Sequence, residues 1–312
     1  MAELMKAIQI NEFGDRSVLT LNNIPIPTPN DNDVLVKVKA AAVNPVDWKI
    51  REGYLNELLP HTLPLTLGWD VAGEVVALGA QVTDLSIGDA VYSRPDIMKN
   101  GSYADYICTD ASEVALKPKT FSWQKAAGIP LAALTAWQSL DALNLTSGDR
   151  VLIHAGSGAV GQFAIQLAKQ RGATVYTTTS SRNTELVLSL GADHPIDYQT
   201  ADFSELRDLD AVFDTIGGDT LANSWITLKK GGRLVSITDT PDPDIAAQHG
   251  VNANFCFVLP NRDQLTQLAE LADAGKLVVN IDSEFSLEHI AQAHERSESG
   301  RAQGKIIINV SA

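Results

Sequence analysis

An α/β fold, with a parallel sheet following a mostly β segment, is predicted for this 312-residue chain. Three observations predict it. Short apolar runs punctuated by Gly68, Gly73, Gly79 and Gly88 occupy the early part of the chain. A glycine loop at 156–161 then joins an apolar run to an amphipathic stretch. Beyond it, strand-like and helix-like segments alternate at the spacing of βαβ units.

The elements follow in order. Val34, Val36 and Val38 alternate with Leu35, Lys37 and Lys39, the period of a half-buried strand, after breakers at Pro25, Pro27 and Pro29. Val71–Leu78 and Ala90–Tyr92 read as further strands, and helical periodicity is scarce before residue 123. From there the grammar changes. Trp123–Leu143 reads as helix interrupted near Pro130, Val151–Ala155 as strand, and Val160, Phe163, Ala164, Leu167 and Ala168 as one helical face. Thr174–Thr178, Ala211–Asp214 and Arg233–Thr238 read as strands, with helices at Thr184–Leu190 and Thr220–Leu228 between them. The tail, Lys276–Ile281 and Lys305–Val310 around a helix at Leu287–Ser297, returns to β character. These shifts predict a β domain over 1–122, completed by about 276–312, and a dinucleotide-binding domain over 123–275.

Composition narrows the function. With 24 Lys and Arg against 38 Asp and Glu the net charge is −14, which disfavours nucleic acid and anionic membranes as partners. No apolar run approaches the roughly 20 residues of a membrane helix. The N-terminus MAELMKAIQI lacks the basic and apolar regions of a signal peptide. Two cysteines, Cys108 and Cys256, suffice for neither a disulfide framework nor a structural zinc. A cytoplasmic protein is expected.

Gly156-Ser157-Gly158-Ala159-Val160-Gly161 is the strongest motif. It follows a strand and opens a helix, the context in which a pyrophosphate approaches backbone amides at a helix N-terminus. A plain tight turn between strand and helix is the bland alternative. The next strand ends Thr177-Thr178-Thr179-Ser180-Ser181-Arg182, and no carboxylate appears before Glu185. An acid there would bind a ribose 2′-hydroxyl, whereas hydroxyls and a guanidinium suit a 2′-phosphate. The sequence therefore predicts NADPH. Ser180 and Ser181 as helix caps, and Arg182 as a solvated charge, are the competing readings.

No Tyr-x-x-x-Lys pair, H-E-x-x-H or G-x-S-x-G occurs. His289 and His294, five apart, read as a solvated helix face. That silence fits hydride transfer, in which the cofactor carries the chemistry.

Leu67-Gly68-Trp69-Asp70-Val71-Ala72-Gly73-Glu74-Val75 ahead of the glycine loop resembles the medium-chain dehydrogenase/reductase superfamily. Asn44-Pro45-Val46-Asp47-Trp48-Lys49 and Ile129-Pro130-Leu131 to Ala136-Trp137 resemble its zinc-free quinone oxidoreductase branch. The resemblance implies a Rossmann doubly wound parallel sheet plus a GroES-like β domain, and a homodimer. Where the zinc alcohol dehydrogenases place catalytic ligands, this chain has Asn44, Trp69 and Leu131, which cannot hold zinc. Acceptors that are already electrophilic remain, quinones first and α,β-unsaturated carbonyls second. By resemblance Ser157, Gly158, Ala159 and Val160 hold the pyrophosphate, while Ser180, Ser181, Arg182 and Tyr198 surround the adenosine phosphate. Asn44 is placed near the nicotinamide ribose and substrate oxygen, and Tyr54 at the substrate mouth. A turn role for Asn44 and a loop-aromatic role for Tyr54 compete with these. Asp47 reads as orienting backbone, Asp214 as capping a turn and Trp69 as packing. A non-catalytic NADPH-binding sensor is the reading from a different class.

Overall fold

The computed structural model describes residues 3–310. Met1 and Ala2 of the N-terminal reading, and Ser311 and Ala312 of the tail, lie outside them. The chain divides into two compact units, one formed by 1–134 with 259–312 and the other by 135–258.

The first unit is built on a seven-stranded sheet. Its longest strand, Asp33–Val43, pairs antiparallel with Val71–Leu78 and with Tyr106–Asp110. Val34, Val36 and Val38 all point into one core with Val71, Val75 and Val91, as their alternation requires. The strand Lys305–Asn309 pairs antiparallel with the other end of Asp33–Val43, setting Ile306 opposite Val43 and Asn309 opposite Ala40. Its other neighbour is Ile281–Ser286, so the tail strand begins where the predicted one, Lys276–Ile281, was expected to end. Within 276–280 Leu277 and Val279 are buried individually; their apolar character is packing in an irregular segment.

A helix lies where periodicity gave no sign of one. Pro45–Arg51 opens with proline at its first turn, where a missing N–H costs nothing. Asn44 is its N-cap residue, and the Asp47 carboxylate reaches back to the Asn44 N–H at 2.8 Å. Seven residues are too few to display a face.

The second unit is a six-stranded, wholly parallel sheet. Its elements are β1 (Arg150–Ile153), α1 (Ala159–Gln170), β2 (Thr174–Thr179), α2 (Thr184–Ser189), β3 (His194–Asp197), β4 (Leu209–Asp214), α3 (Gly218–Ser224), β5 (Leu228–Ser236), α4 (Pro243–His249) and β6 (Asn252–Phe255). The order across the sheet is β3-β2-β1-β4-β5-β6, the doubly wound arrangement whose switch point lies between β1 and β4. Phe163, Ala164, Leu167 and Ala168 of α1 are buried as the 3.6-residue period demands. The strand expected at Arg233–Thr238 starts earlier, at Leu228, and α3 ends earlier, because Leu228 pairs with Leu209 ahead of a register shift.

Candidate active site

The glycine loop begins with backbone bent on purpose. Ala155 has φ +50°, and its carbonyl accepts the Gly158 N–H at 2.9 Å, closing a tight turn off β1. A β-carbon on Gly156 would fall 2.0 Å from Thr177 Oγ1, and one on Gly161 2.3 Å from the Ala155 carbonyl oxygen. These two glycines are demanded by the close approach of α1 to β1 and β2. Gly158 is not: a β-carbon there would meet only the Ala155 carbonyl, at 3.2 Å. As the N-cap of a 12-residue helix it offers no side-chain acceptor to the first turn, so the N–H groups of α1 keep their affinity for an anion. Neighbours pin the loop. Asn183 donates to Ser157 Oγ at 3.0 Å, and Gln162 donates to the Ser157 carbonyl at 2.8 Å. Ala159 and Val160 form the first turn of α1.

Beyond β2, Ser180 is buried, whereas Ser181 and Arg182 are exposed. Arg182 makes no ion pair among the described residues. Ser180 caps the short turn 181–183 by position, without a side-chain hydrogen bond. Thr179 Oγ1, next in line, is buried and lacks a hydrogen-bond partner. A hydroxyl left so is costly unless a ligand meets it. Gly158, the bare first turn of α1, Thr179 and the unpaired Arg182 fit a dinucleotide phosphate group.

A cavity of about 630 Å³ opens at the carboxyl ends of the strands, lined by His154, Ala155, Thr178, Tyr198, Phe203 and Ile216 among others. It places Tyr198, 59% exposed, in the same lining as Ala155, the residue before the glycine loop. The wall carries a network that sequence reading missed. The Ala155 N–H donates to Thr178 Oγ1 at 3.0 Å, and that oxygen lies 3.2 Å from His154 Nδ1. On the other side His154 Nε2 lies 2.9 Å from Ser224 Oγ, which donates to the Thr220 carbonyl at 2.6 Å. Because the Ser224 hydroxyl proton goes to the Thr220 carbonyl, Nε2 is the His154 nitrogen that donates, and Nδ1 is left to accept from the Thr178 hydroxyl. Burial pulls its pKa down to about 4, against an opposing pull from Asp214. Asp214 itself holds the turn after β4, accepting the Ile216 and Gly217 N–H groups and the Ser236 hydroxyl.

The first unit contains the second set of expected residues. Asn44 is buried, and its amide is held at both ends. Lys305 Nζ donates to Asn44 Oδ1 at 2.6 Å, and Asn44 Nδ2 donates to Asp70 Oδ2 at 2.8 Å. Lys305 also donates to Asp70 Oδ2 at 2.9 Å, and the Leu131 N–H donates to Asp70 Oδ1 at 2.6 Å. Neighbouring Asp47 takes the Tyr103 hydroxyl on Oδ2 at 2.6 Å and leaves Oδ1 buried without a partner. Burial drives its pKa up to about 7. Tyr54 stands apart: 70% exposed, it packs edge-on to Trp48 at 6.2 Å between ring centroids. Trp69 is fully buried and donates to the Lys99 carbonyl, a packing role.

His294 corrects the solvated-face reading of the last helix. Its ring is fully buried, 3.1 Å from Arg51 Nη1 and edge-on to Tyr103. Burial and the Arg51 charge lower its pKa to about 3. Only His289 is exposed.

Two family models match the chain, an alcohol dehydrogenase GroES-like domain over 30–119 and a zinc-binding dehydrogenase over 190–308. A 2-methylene-furan-3-one reductase of Solanum lycopersicum is 37% identical across 98% of this chain and 79% of that protein. An NADPH-dependent alkenal/one oxidoreductase of Arabidopsis thaliana is 38% identical across 97% and 79%. The solved quinone oxidoreductase of Coxiella burnetii superposes with a TM-score of 0.91 at 37% identity, covering 99% of this chain and all of that one. The chain belongs to the quinone oxidoreductase branch of the medium-chain dehydrogenase/reductase superfamily. It is an oxidoreductase that uses a nicotinamide cofactor.

One of the two family models is named for a zinc-binding dehydrogenase. The cation beside Asn44 and Asp70 is the Lys305 ammonium. Among the described residues no cluster of three His, Cys, Asp or Glu could hold a metal ion. Burial pushes the Cys108 thiol up to about 11. No helix among the described residues is long and apolar enough to cross a membrane.

Proposed function

We propose that this protein is an NADPH-dependent reductase that transfers hydride to quinones without zinc. The observation that carries the reading is the Lys305 ammonium bonded to Asn44 and Asp70, where a Lewis acid would otherwise act. An amide, an indole and an alkyl chain at Asn44, Trp69 and Leu131 offer zinc no ligand set, so alcohol oxidation loses its main support, and acceptors that are already electrophilic fit.

Ser157, Gly158, Ala159 and Val160, within the loop Gly156–Gly161, hold the pyrophosphate by backbone N–H groups and the positive end of α1. Ser180, Ser181, Arg182 and Tyr198 take the 2′-phosphate end. This preference for NADPH is supported by the unpaired Arg182 guanidinium and the lack of a carboxylate before Glu185. When bound, the reduced nicotinamide supplies the hydride. Asn44 donates an N–H to the substrate oxygen or the ribose, and Tyr54 borders the entrance for the acceptor. The domain reading, 1–122 with about 276–312 and 123–275, assigns these roles to the two parts of the chain.

A second reading is favoured by two relatives named for carbon–carbon double bond substrates, the furanone reductase and the alkenal/one oxidoreductase. The two are separated by following NADPH absorbance with simple quinones against enals and enones, NADH serving as control. Turnover with quinones alone sustains the first reading, and with enones alone the second. Binding of NADPH without turnover would mark a sensor.

A homodimer is proposed through β6, the sheet's edge strand, where its last residue Phe255 and the following Phe257 are 39% and 37% exposed. Sedimentation at monomer mass would contradict it. A cytoplasmic location is proposed from the two free cysteines and the acidic composition.

A further inference from the structure

The amide of Asn44 faces two buried groups of opposite chemistry. Lys305 can only donate, and its ammonium is 2% exposed; Asp70, fully buried, accepts three hydrogen bonds. An asparagine between two neutral hydroxyls could sit either way round. Between an ammonium and a carboxylate it has one orientation, oxygen to Lys305 and nitrogen to Asp70. The distances, 2.6 and 2.8 Å, are those of charge-assisted bonds. One Nδ2 hydrogen then remains unused, and it is the only donor the amide has left.

The anchor is also long-range. Lys305 enters from the strand Lys305–Asn309, Asp70 immediately precedes Val71–Leu78, and Asn44 caps the helix Pro45–Arg51. The Leu131 N–H fixes the far oxygen of Asp70. A buried ion pair adds little net stability, and its best-attested use is to specify one arrangement. Here the arrangement specified is the direction of an amide.

We infer that Lys305 is a positioning residue for hydride transfer, acting through Asn44 by fixing its amide as an obligate N–H donor toward the reacting oxygen or ribose. The inference rests on the proposed role of Asn44 and adds to it how that role is enforced. Lys305 needs no contact with substrate or cofactor.

The test is a double-mutant cycle with Lys305→Met and Asn44→Ala, reading kcat and KM for NADPH oxidation and, by fluorescence titration, the Kd for NADPH. Lys305→Met is expected to lower kcat about 10- to 100-fold, the scale of a small misplacement of a reacting group, with Kd moved less than about twofold. Asn44→Ala should lower kcat as much, and the double variant no further, because one route is lost in each. Wild-type kcat in Lys305→Met overturns the inference, as do losses that multiply in the double variant. Wild-type kcat in Asn44→Ala overturns instead the underlying role of Asn44, and the inference with it. Should Lys305→Met leave Asp70 an unpaired buried charge and fail to fold, Lys305→Met with Asp70→Asn removes both charges together. That variant is expected to fold and to show the same loss of kcat with NADPH affinity kept; wild-type kcat in it overturns the inference.

Discussion

Gly156 lies directly beneath Thr177: a β-carbon on the glycine would sit 2.0 Å from the threonine Oγ1, which donates to the Ile153 carbonyl at 2.7 Å. The loop therefore owes its shape to the packing of β1 against β2 as well as to any ligand. Gly156→Ala is expected to destabilise the protein by about 1–3 kcal/mol, the usual cost of overpacking a filled site. Adding Thr177→Ala should recover part of that loss. Thermal unfolding of the two variants checks this, and an unchanged Tm in Gly156→Ala would contradict it.

Arg182 is exposed and unpaired, so its removal disturbs no packing. Arg182→Ala should weaken NADPH binding about tenfold or more, the worth of a charge-assisted bond, while NADH binding stays as it was. Equal affinity for NADPH before and after the change would remove the assigned 2′-phosphate site.

His154 makes the fold sensitive to acid. Its pKa of about 4 lies below the ordinary value of 6.5 because burial disfavours the imidazolium. Between those values the unfolded chain binds the proton and the folded one does not, so stability falls as pH drops from about 6.5 toward 4. His154→Gln should flatten the pH dependence of stability in that window, measured by denaturant unfolding against the wild type. Parallel curves would show that His154 titrates normally.

Asp47 acts in the opposite direction. Its pKa, about 7, is raised from 3.8 by burial. The folded chain then holds a proton that the unfolded chain has released, and Asp47 makes folding progressively less favourable as pH rises from about 4 to 7. Asp47→Asn, which keeps an oxygen for the Asn44 N–H and the Tyr103 hydroxyl, should gain stability relative to wild type over that range. A stability difference independent of pH would contradict the assignment.

The regular parts of this molecule could be read from local pattern, and the site's wiring could not. Val71–Leu78 forms a strand over its predicted bounds, and α1 buries Phe163, Ala164, Leu167 and Ala168 of the predicted face while Val160 is half-buried, because both express a period within a few residues. The glycine loop was legible for the same reason, as a motif in context. The helix Pro45–Arg51 carries its signal only in the Asn-Pro-x-Asp start. His294 defeated local reading because the groups that bury it, Arg51 and Tyr103, lie about two hundred residues away in sequence. The same holds for Asn44 and Lys305, 261 residues apart, and for His154 and Ser224, 70 apart. Ion pairing and burial between distant segments leave no periodic trace. For His154, a lone histidine at the carboxyl end of a sheet strand was the available clue.

The most direct measurement is steady-state oxidation of NADPH by a simple quinone, after exhaustive chelation, with NADH run alongside. Full activity without metal and a clear preference for NADPH are expected. No oxidation of NADPH, or activity lost on chelation and restored by zinc, would contradict it.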